Sequence, residues 1–352
     1  MKVSILTIQS INYGNRLQNY ALQTVLKSCG HEVESLRREA GFEGPLKFRL
    51  RAIKRAVGLM TKHRSDRIGA FKAFDRAHID YSDEVVSKEL ASSGLADKYD
   101  CFVIGSDQVW NPDFDFNSDL EYLPMVPSAK KVSYAASFGV SEIVDNREET
   151  ADLLNNISSL SVREEDGANI VRDLTGREAT VVADPTLLLG PQDWERISKR
   201  PTKVACDRPY IFKYVLGNDV NEKKIAAMAA DRSLDIIDVM DESLAIGPSE
   251  FVWLIAHSEL VCTDSFHASV FALLHHKPLA IFERVSDDAD MSSRFDTLCN
   301  TFELVGHRSS ELSFGDAAIF GTDWSVFEGH LEELRGRSCE WLLAALEGVA
   351  RG

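Results

Sequence analysis

The sequence predicts an α/β protein with two successive domains, each built on a parallel sheet. Its 352 residues exceed what one ordinary hydrophobic core holds. Short apolar runs alternate with stretches of helical periodicity along both halves of the chain. Glycine and polar residues follow several of these runs, at the strand ends where doubly wound domains bind ligands. We therefore expect two α/β domains facing a cleft, at 1–190 and 205–352, with the last helix packing back on the first domain.

The first half opens with a β-α-β unit. Residues 3–8 are predicted as a buried parallel strand, followed by a polar turn and a helix from Arg16 to Cys29. Gly30 ends this helix, and residues 31–36 form the second strand. The turn lacks the GxGxxG pattern of dinucleotide-binding loops, so its phosphate-loop signal is weak. Later strands in this half are predicted at 99–104, 131–139, 160–164 and 181–186, with a helix to Leu174 after the third of these.

The second half repeats the alternation after a proline- and glycine-containing linker at 190–208. The predicted strands are 210–215, 235–240, 259–262 and 278–282, and the predicted helices are 220–232, 248–257 and 267–275. A final helix is predicted from Trp324 to Val349, because its apolar residues recur at helical spacing.

Composition bounds the class of protein. The chain carries 39 basic and 55 acidic residues, a net charge of −16, which argues against a general nucleic-acid binder that must neutralise phosphates. No apolar run reaches the ~20 residues that cross a bilayer, and the first apolar run is too short for a signal peptide. The six cysteines include no CxxC pair. We expect free thiols, no zinc site and a cytoplasmic location.

Residues 46–64 form a basic segment in this acidic chain, with seven lysines and arginines and no acidic residue. Apolar residues are interleaved with them, a pattern typical of a basic amphipathic helix at a membrane surface or an anionic ligand. The segment predicts peripheral contact with the inner face of the cell membrane. A solvated helix packed on the domain is the alternative.

The stretch 261–274 is the main candidate site in the second half. It places Asp264, Ser265 and His267 between an apolar strand and the start of a helix. A helix N-terminus presents free backbone N–H groups and a partial positive charge, so it suits a phosphate or a carboxylate. His267 would add a donor or an acid. The alternative is that Asp264 or Ser265 only caps the helix and that His267 is a satisfied polar residue.

Polar residues also follow strands of the first half. Those that could contact a ligand are Asn12, Asn15 and Arg16 after the first strand, and Ser106, Asp107 and Gln108 after the strand at 99–104. Gly105 permits close backbone approach, and the three residues after it can hydrogen-bond a polyol, although a structural Asx-turn would use the same residues. Arg163, at another strand end, is either an anion ligand or the partner of a carboxylate.

Taken in order, these strand-end motifs resemble the polysaccharide pyruvyl transferase family. The motifs are Asn12 to Gln23, Val103 to Asn111, Ser161 to Glu164, Asp184 to Thr186 and Cys262 to Ala268, and the resemblance covers roughly residues 1–305. It implies a glycosyltransferase-B-like fold of two Rossmann-like domains. It also implies transfer of an enolpyruvyl unit from phosphoenolpyruvate onto two hydroxyls of a sugar, giving a pyruvate ketal. The acceptor would be a surface-polysaccharide or exopolysaccharide precursor, often lipid-linked.

The resemblance also implies roles for the candidate residues. His267 would act as acid or phosphate ligand, and Asp107 would orient or deprotonate an acceptor hydroxyl. The expected donor-binding residues are Arg163, Asp264, Ser265, His267 and Arg294, and the expected acceptor-binding residues are Asn12, Asn15, Arg16, Ser106, Asp107 and Gln108. This scheme needs no metal and no cofactor, since phosphoenolpyruvate is a substrate.

One departure from the family pattern concerns the donor. Better-studied branches carry an arginine two residues before the histidine of the central motif, and Ser265 stands at that position here. Either other cations replace this arginine, or the donor differs. The cations available are Arg163 and Arg294, and Arg294 is predicted in a polar loop at 290–295. A sugar-nucleotide-dependent glycosyltransferase of the same architecture and a non-catalytic glycan-binding protein are therefore the alternative functions.

Overall fold

The chain divides into two compact units. The computed structural model describes residues 1–38, 62–87, 94–114, 117–217, 222–282, 293–309 and 317–351. Unit 1 comprises Met1–Val57, His78–Leu188 and Glu332–Gly352, and unit 2 comprises Gly58–Ala77 and Leu189–Leu331. Relative to the predicted ranges 1–190 and 205–352, residues 58–77 belong to unit 2 and the end of the last helix belongs to unit 1. Most of the basic segment, 46–61, lies outside the described residues.

Unit 1 is a Rossmann-like domain on a five-stranded parallel sheet of order β3-β2-β1-β4-β5. Its strands are β1 (Lys2–Leu6), β2 (Glu32–Arg38), β3 (Tyr81–Val86), β4 (Cys101–Ile104) and β5 (Lys131–Ser133). Every residue of β4 is buried, which explains its uninterrupted apolar sequence, because a central parallel strand is covered on both faces. Two short strands, β6 (Ser161–Val162) and β7 (Thr180–Val181), pair with each other, and a parallel bridge from Val132 to Ser159 links this pair to the sheet.

Unit 2 is a second α/β domain on a four-stranded parallel sheet of order β11-β10-β8-β9. Its strands are β8 (Tyr210–Tyr214), β9 (Asp235–Asp238), β10 (Leu260–Thr263) and β11 (Leu279–Ile281). The two central strands, β8 and β10, are buried along their whole length, like β4 in unit 1. The predicted alternation of strands and helices in this half is therefore present.

The described helices complete both units. They are α1 (Tyr13–Ser28), α2 (Lys62–His78), α3 (Arg147–Asn155), α4 (Glu165–Thr175), α5 (Pro185–Leu188), α6 (Pro191–Glu195), α7 (Glu222–Arg232), α8 (Pro248–Ala256), α9 (Phe266–Leu274), α10 (Ser293–Thr301), α11 (Ala317–Phe320) and α12 (Trp324–Arg351). Across the described residues, we find no helix with the length and apolar character that a membrane span requires.

Two predicted strands of the first half end at least five residues before their predicted last residue. The strand predicted at 131–139 ends at Ser133, and the chain then adopts a positive φ of 48° at Ala135, which extended strands do not allow. The strand predicted at 181–186 ends at Val181, and α5 begins at Pro185, whose fixed φ suits the first position of a helix. In both places the apolar residues that follow the strand are still buried.

A lysine is buried within unit 1. Lys131, on β5, has no exposed surface, and its Nζ donates to the backbone oxygens of Tyr122 and Leu123 at 3.2 and 3.0 Å. Burial lowers the pKa of Lys131 to about 8, from an ordinary value of 10.5, because a charged ammonium is poorly solvated there. The hydrogen bonds anchor the turn at Leu123 to the strand, at an electrostatic cost.

This cost predicts a pH dependence of stability. Between pH 8 and 10.5 the unfolded chain binds the Lys131 proton more strongly than the folded chain, so folding stability rises with pH across this window. Below pH 8 the penalty is present in full, about 3 kcal/mol from the pKa difference. Denaturant titrations of the natural protein and of Lys131→Met isolate this effect, because the two proteins share every other titrating group. We expect the natural protein to gain stability relative to the variant between pH 8 and 10, and a constant difference would contradict the assignment.

Candidate functional site

The predicted acceptor-binding residues lie at the switch point of the unit 1 sheet. β2 and β3 extend the sheet on one side of β1, and β4 and β5 extend it on the other side. Such a reversal opens a crevice between the carboxyl ends of the two central strands, where doubly wound domains bind ligands. The loop after β1 leads to Asn12, Asn15 and Arg16, and the loop after β4 carries Ser106, Asp107 and Gln108.

The loop after β1 is held by its own polar side chains. The Asn12 side chain caps α1 and accepts hydrogen bonds from the backbone N–H groups of Gly14 and Asn15, at 2.8 and 3.4 Å. The Ser10 hydroxyl donates to Asn15 Oδ1. Arg16 is buried in the first turn of α1. Asn12 is therefore a helix cap whose side-chain oxygen is already hydrogen-bonded. Asn15 and Arg16 follow it in the first turn of α1.

The loop after β4 depends on a glycine. Gly105 has a φ of 115°, and a Cβ atom added there would lie 2.4 Å from the backbone oxygen of Tyr134. The next residues are compact and buried, and Asp107 adopts a left-handed φ of 68°. Its carboxylate accepts a hydrogen bond from the backbone N–H of Gln108 at 2.9 Å. Asp107 Oδ2 accepts a hydrogen bond from the Asn15 side chain, so both carboxylate oxygens already have a donor, and the ligand role of Asp107 stays a prediction.

Two residues that the sequence did not single out join the two loops. Thr7 Oγ1 donates to the backbone oxygen of Ser106 at 2.9 Å, and Gln18 Nε2 donates to Thr7 Oγ1 at 2.7 Å. The Ser106 hydroxyl donates to Gln18 Oε1 at 3.1 Å and closes the ring of contacts. Ser106 is thus occupied in fixing the backbone of the switch point. The signal that could have found Gln18 is its place in the first turn and a half of the helix that follows β1.

Arg163 lies among three carboxylates in unit 1. Its Nη1 is 3.2 Å from both Asp107 Oδ1 and Asp184 Oδ2, and its Nε is 3.4 Å from Glu164 Oε2. Its side chain is only 2% exposed. Burial lowers the pKa of Arg163, but the charges of Asp107, Glu164 and Asp184 outweigh this and leave the pKa raised. Of the two alternatives open for this arginine, the structure therefore contains the carboxylate pairing, and its donor-binding role stays a prediction.

The acidic residues around Arg163 do not form a metal centre. Asp184 Oδ1 accepts hydrogen bonds from the backbone N–H and hydroxyl of Thr186, at 3.0 and 2.7 Å. Among the residues that the structure describes, no group of three or more histidine, cysteine or acidic side chains is placed to hold a metal ion. The arginine supplies positive charge at the centre of the cluster, and the Asp184-Pro185-Thr186 motif begins α5 at its edge.

The central motif of unit 2 also lies at a switch point. β9 and β10 follow β8 in the chain but flank it on opposite sides, so the loops after β8 and β10 are neighbours. Asp264, 1% exposed, accepts the backbone N–H of Leu216 at Oδ1 and that of Gly217 at Oδ2, at 2.8 and 2.7 Å. Both oxygens of this predicted donor-binding residue are therefore engaged in holding the loop after β8.

Ser265 and His267 form the start of α9. Ser265 is the N-cap, and its hydroxyl accepts from the backbone N–H of Ala268 at 3.5 Å. The Thr263 hydroxyl donates to the backbone oxygen of Tyr214 at 2.6 Å and accepts from the Ser265 N–H at 3.0 Å, which fixes the turn before the helix. His267 is mostly buried in the first turn, with its ring edge-on to Phe266 at 5.4 Å. The capping interpretation of Ser265 is correct, and it places His267 beside the amides of a helix N-terminus.

Arg294 begins a helix near this turn. The sequence placed it in a polar loop at 290–295, which is wrong for the described part, because α10 starts at Ser293. Its guanidinium lies 5.7 Å from the Phe295 ring, and that ring is 6.5 Å from the ring of Phe266 in α9. Arg294 directly precedes Phe295 in the chain and His267 directly follows Phe266, and the rings of these two phenylalanines are in contact. Both belong to unit 2.

Lys213 is a further cation near the same strand ends. Its Nζ pairs with Asp238 Oδ2 at 2.9 Å and with Glu222, and its side chain is 9% exposed. Burial lowers the pKa of Lys213, but hydrogen bonds to Glu222 and Asp238 outweigh this and raise it. Two carboxylates therefore hold this lysine, which makes it a weak candidate for binding an anionic ligand.

Comparisons with known proteins agree with this architecture. The family model described as "Polysaccharide pyruvyl transferase" matches residues 12–284. A candidate UDP-N-acetylglucosamine 2-epimerase of Listeria monocytogenes is similar in structure, with a TM-score of 0.53, 11% identity and coverage of 99% of this chain and 96% of that chain. The UDP-GlcNAc 2-epimerase of Methanocaldococcus jannaschii has a TM-score of 0.50 at 14% identity, over 99% of both chains. A search of curated proteins found no significant match.

These findings differ in what they establish. At 11 and 14% identity, the structural likeness shows the fold, which is glycosyltransferase-B-like with Rossmann-like units. The family match extends over most of the chain and includes the polar strand ends of both units, from Asn12 to the central motif at 262–268. This protein is a transferase that belongs to the polysaccharide pyruvyl transferase family.

Proposed function

We propose that this transferase moves an enolpyruvyl unit from phosphoenolpyruvate onto two hydroxyls of a sugar in a surface-polysaccharide precursor. The observation that carries the proposal is the family match across 12–284, which includes the strand-end motifs of both units. The side chains at these strand ends support it. Unit 1 places polar side chains at its switch point, where domains of this kind bind ligands, and unit 2 offers a helix N-terminus that suits an anion.

The donor is assigned to unit 2. Phosphoenolpyruvate carries a phosphate and a carboxylate, which cations and helix-terminal amides stabilise best. His267 lies in the first turn of α9, and Arg294 lies at the start of α10, whose Phe295 ring contacts α9 through Phe266. Arg294 is proposed to replace the arginine that other branches carry at the position of Ser265. Ser265 contributes by fixing the helix start, and Asp264 by fixing the loop after β8.

The proposed reaction uses two proton-transfer groups. His267 protonates the methylene carbon of the donor, which becomes a methyl group and leaves an electron-poor central carbon. One sugar oxygen bonds to this carbon as Asp107 accepts the hydroxyl proton. The second sugar oxygen then bonds to the same central carbon. The bond between that carbon and the phosphate oxygen breaks at this step, and its electron pair leaves with phosphate. In sum, one hydroxyl proton ends in the methyl group and the other on phosphate.

Two measurements test the proposal. Purified protein, phosphoenolpyruvate and methyl glycosides of galactose, glucose and mannose are assayed for glycoside-dependent phosphate release, and the glycoside is analysed for a ketal by mass spectrometry. Thermal unfolding is followed in parallel with phosphoenolpyruvate, UDP-N-acetylglucosamine or the methyl glycosides. We expect stabilisation by phosphoenolpyruvate. Stabilisation by the nucleotide sugar alone would support a sugar-nucleotide-dependent glycosyltransferase, and response to glycosides alone would support a glycan-binding protein.

Replacing Arg294 with alanine is expected to weaken phosphoenolpyruvate binding. A charge-assisted hydrogen bond contributes about 1.5–3 kcal/mol, which corresponds to roughly ten- to a hundred-fold in the dissociation constant. Isothermal titration of both proteins measures the change. Arg232→Ala is the matched control, because Arg232 is an exposed arginine of unit 2 whose guanidinium packs on the Phe320 ring at 3.7 Å. Equal affinity in all three proteins would exclude Arg294 as a donor ligand.

The basic segment 46–64 is proposed to hold the protein at an anionic membrane surface, where lipid-linked acceptors would be found. Each basic residue near such a surface contributes about 1 kcal/mol, and salt screens this attraction. The described end of the segment also supports the alternative of internal pairing, since Arg64 lies 3.7 Å from Glu242. Co-sedimentation with phosphatidylserine vesicles should show binding at low salt that is lost in Arg51→Glu/Lys54→Glu/Arg55→Glu, and no binding at low salt would favour internal pairing.

A further inference from the structure

The guanidinium of Arg163 connects the ends of three strands of unit 1. Asp107 follows β4, Arg163 itself follows β6, and Asp184 follows β7. Nη1 lies 3.2 Å from a carboxylate oxygen of each aspartate. Glu164 occupies the Nε side at 3.4 Å. Arginine suits this position, because its planar fork donates in several fixed directions at once.

The surroundings of Arg163 are those of a structural ion cluster. With 2% of its side chain exposed, the guanidinium is buried and already paired with buried carboxylates. Separating such a pair leaves buried charges uncompensated, which is strongly unfavourable. A donor anion placed here would also meet the negative charges of Asp107, Glu164 and Asp184. Electrostatics therefore disfavour Arg163 as a direct donor ligand.

The same contacts fix Asp107 from both sides. Oδ1 receives the backbone N–H of Gln108 at 2.9 Å and Arg163 Nη1 at 3.2 Å. Oδ2 receives the Asn15 side chain, whose own oxygen accepts from Ser10. Asp107 also has a left-handed backbone, a conformation that costs energy for a residue with a side chain. Donors on both oxygens hold this carboxylate in one orientation at the switch point.

We propose that Arg163 is a positioning residue that holds Asp107 in the orientation needed to accept a proton from the acceptor hydroxyl. This inference rests on the proposed function, because Asp107 is the group assigned to the acceptor there. It reassigns Arg163 from the donor to the acceptor side of the reaction. Without the planar guanidinium of Arg163, Asp107 should be misplaced. The unit 2 residues that are proposed to bind the donor should be unchanged.

Arg163→Lys tests the assignment, because it keeps the charge and removes the fork. A misplacement of about 1 Å can reduce a rate roughly a hundred-fold, so we expect a fall of about that size in kcat/KM for the acceptor glycoside. Phosphoenolpyruvate affinity, measured by isothermal titration, should stay within about two-fold. In an Asp107→Asn background, Arg163→Lys should have little further effect on the rate, because the group that it positions is already lost.

A matched control separates positioning from stability. Arg177 is a half-buried arginine of unit 1 that donates to the backbone oxygens of Leu154, Ile157 and Ser158, and Arg177→Lys should alter stability but not the acceptor parameters. A ten-fold or larger loss of donor affinity in Arg163→Lys would overturn the inference, as would unchanged acceptor kinetics or equal rate losses with and without Asp107. If the natural protein releases no phosphate from phosphoenolpyruvate, the proposed function fails. The contact between Arg163 and Asp107 is then tested by a double-mutant cycle on the free energy of unfolding, and a coupling energy of zero would overturn the inference.

Discussion

Replacing His267 with alanine is expected to abolish pyruvyl transfer and to leave a folded protein. His267 lies in the first turn of α9, beside the backbone amides freed at the helix start, and it is the group assigned to protonate the donor. Losing a general acid costs about 10²–10⁴-fold in rate. The steady-state rate of phosphate release measures the effect, and circular dichroism with thermal unfolding checks the fold.

Two further variants give this result its meaning. His267→Gln keeps a hydrogen-bonding side chain but cannot serve as a proton donor near neutral pH, so it should be nearly as inactive as the alanine variant. His257→Ala removes an exposed histidine at the end of α8 in the same unit and should leave the rate unchanged. If His267→Ala retains activity within a few-fold, or if it unfolds while His267→Gln remains active, His267 has a structural role.

Gly105→Ala is expected to destabilise unit 1 more than any other small substitution discussed. The φ of 115° at Gly105 is one that side-chain-bearing residues rarely adopt, which costs about 1–3 kcal/mol. The added Cβ would also lie 2.4 Å from the Tyr134 backbone oxygen, and relieving such an overlap typically costs a further ~1–3 kcal/mol. Denaturant unfolding of the variant should show this loss directly, and transfer should fall with it because Ser106 and Asp107 follow Gly105.

Gly348→Ala provides the comparison for Gly105. Gly348 lies in α12, and a Cβ added there meets nothing within 4 Å apart from the backbone of its own helix, so alanine should be neutral or stabilise the helix by up to about 1 kcal/mol. The two substitutions add the same methyl group within unit 1. Equal stability of Gly105→Ala and the natural protein would mean that the backbone after β4 can relax, and the close approach to Tyr134 would then not constrain the site.

The sequence predicts where the site residues lie better than what they contact. Strand ends are local features, set by an apolar run that meets polar residues, and this placed Asp107, Arg163 and Asp264 correctly after strands. Their partners are distant in the chain. Arg163 and Asp107 are 56 residues apart, and Asp264 and Leu216 are 48 apart. Pairing at such separations is decided by the sheet order, which apolar periodicity does not contain.

Two features show what kind of information was missing. Gln18 falls within the helix predicted from Arg16 to Cys29, and the sequence does not show that its side chain bonds Thr7 and Ser106 at the switch point. Arg294 was expected in a loop because serines and an aspartate precede it, but the helix starts one residue earlier. Helix boundaries and side-chain direction both depend on tertiary packing, which overrides weak local preference.

The last helix also has a consequence for how the chain folds during synthesis. Residues from Glu332 onward belong to unit 1, where the Ala183 N–H donates to Ser338 Oγ at 2.9 Å and the ring centroids of Tyr134 and Trp341 lie 6.3 Å apart. The ribosome therefore makes all of unit 2 before it supplies the final piece of unit 1. Ala183 and Ser338 are 155 residues apart in the chain, and Tyr134 and Trp341 are 207 apart (341 − 134). Such distant contacts form slowly. Until the last helix is made, the surface around Tyr134 that it covers therefore stays exposed, and chaperones have time to bind there.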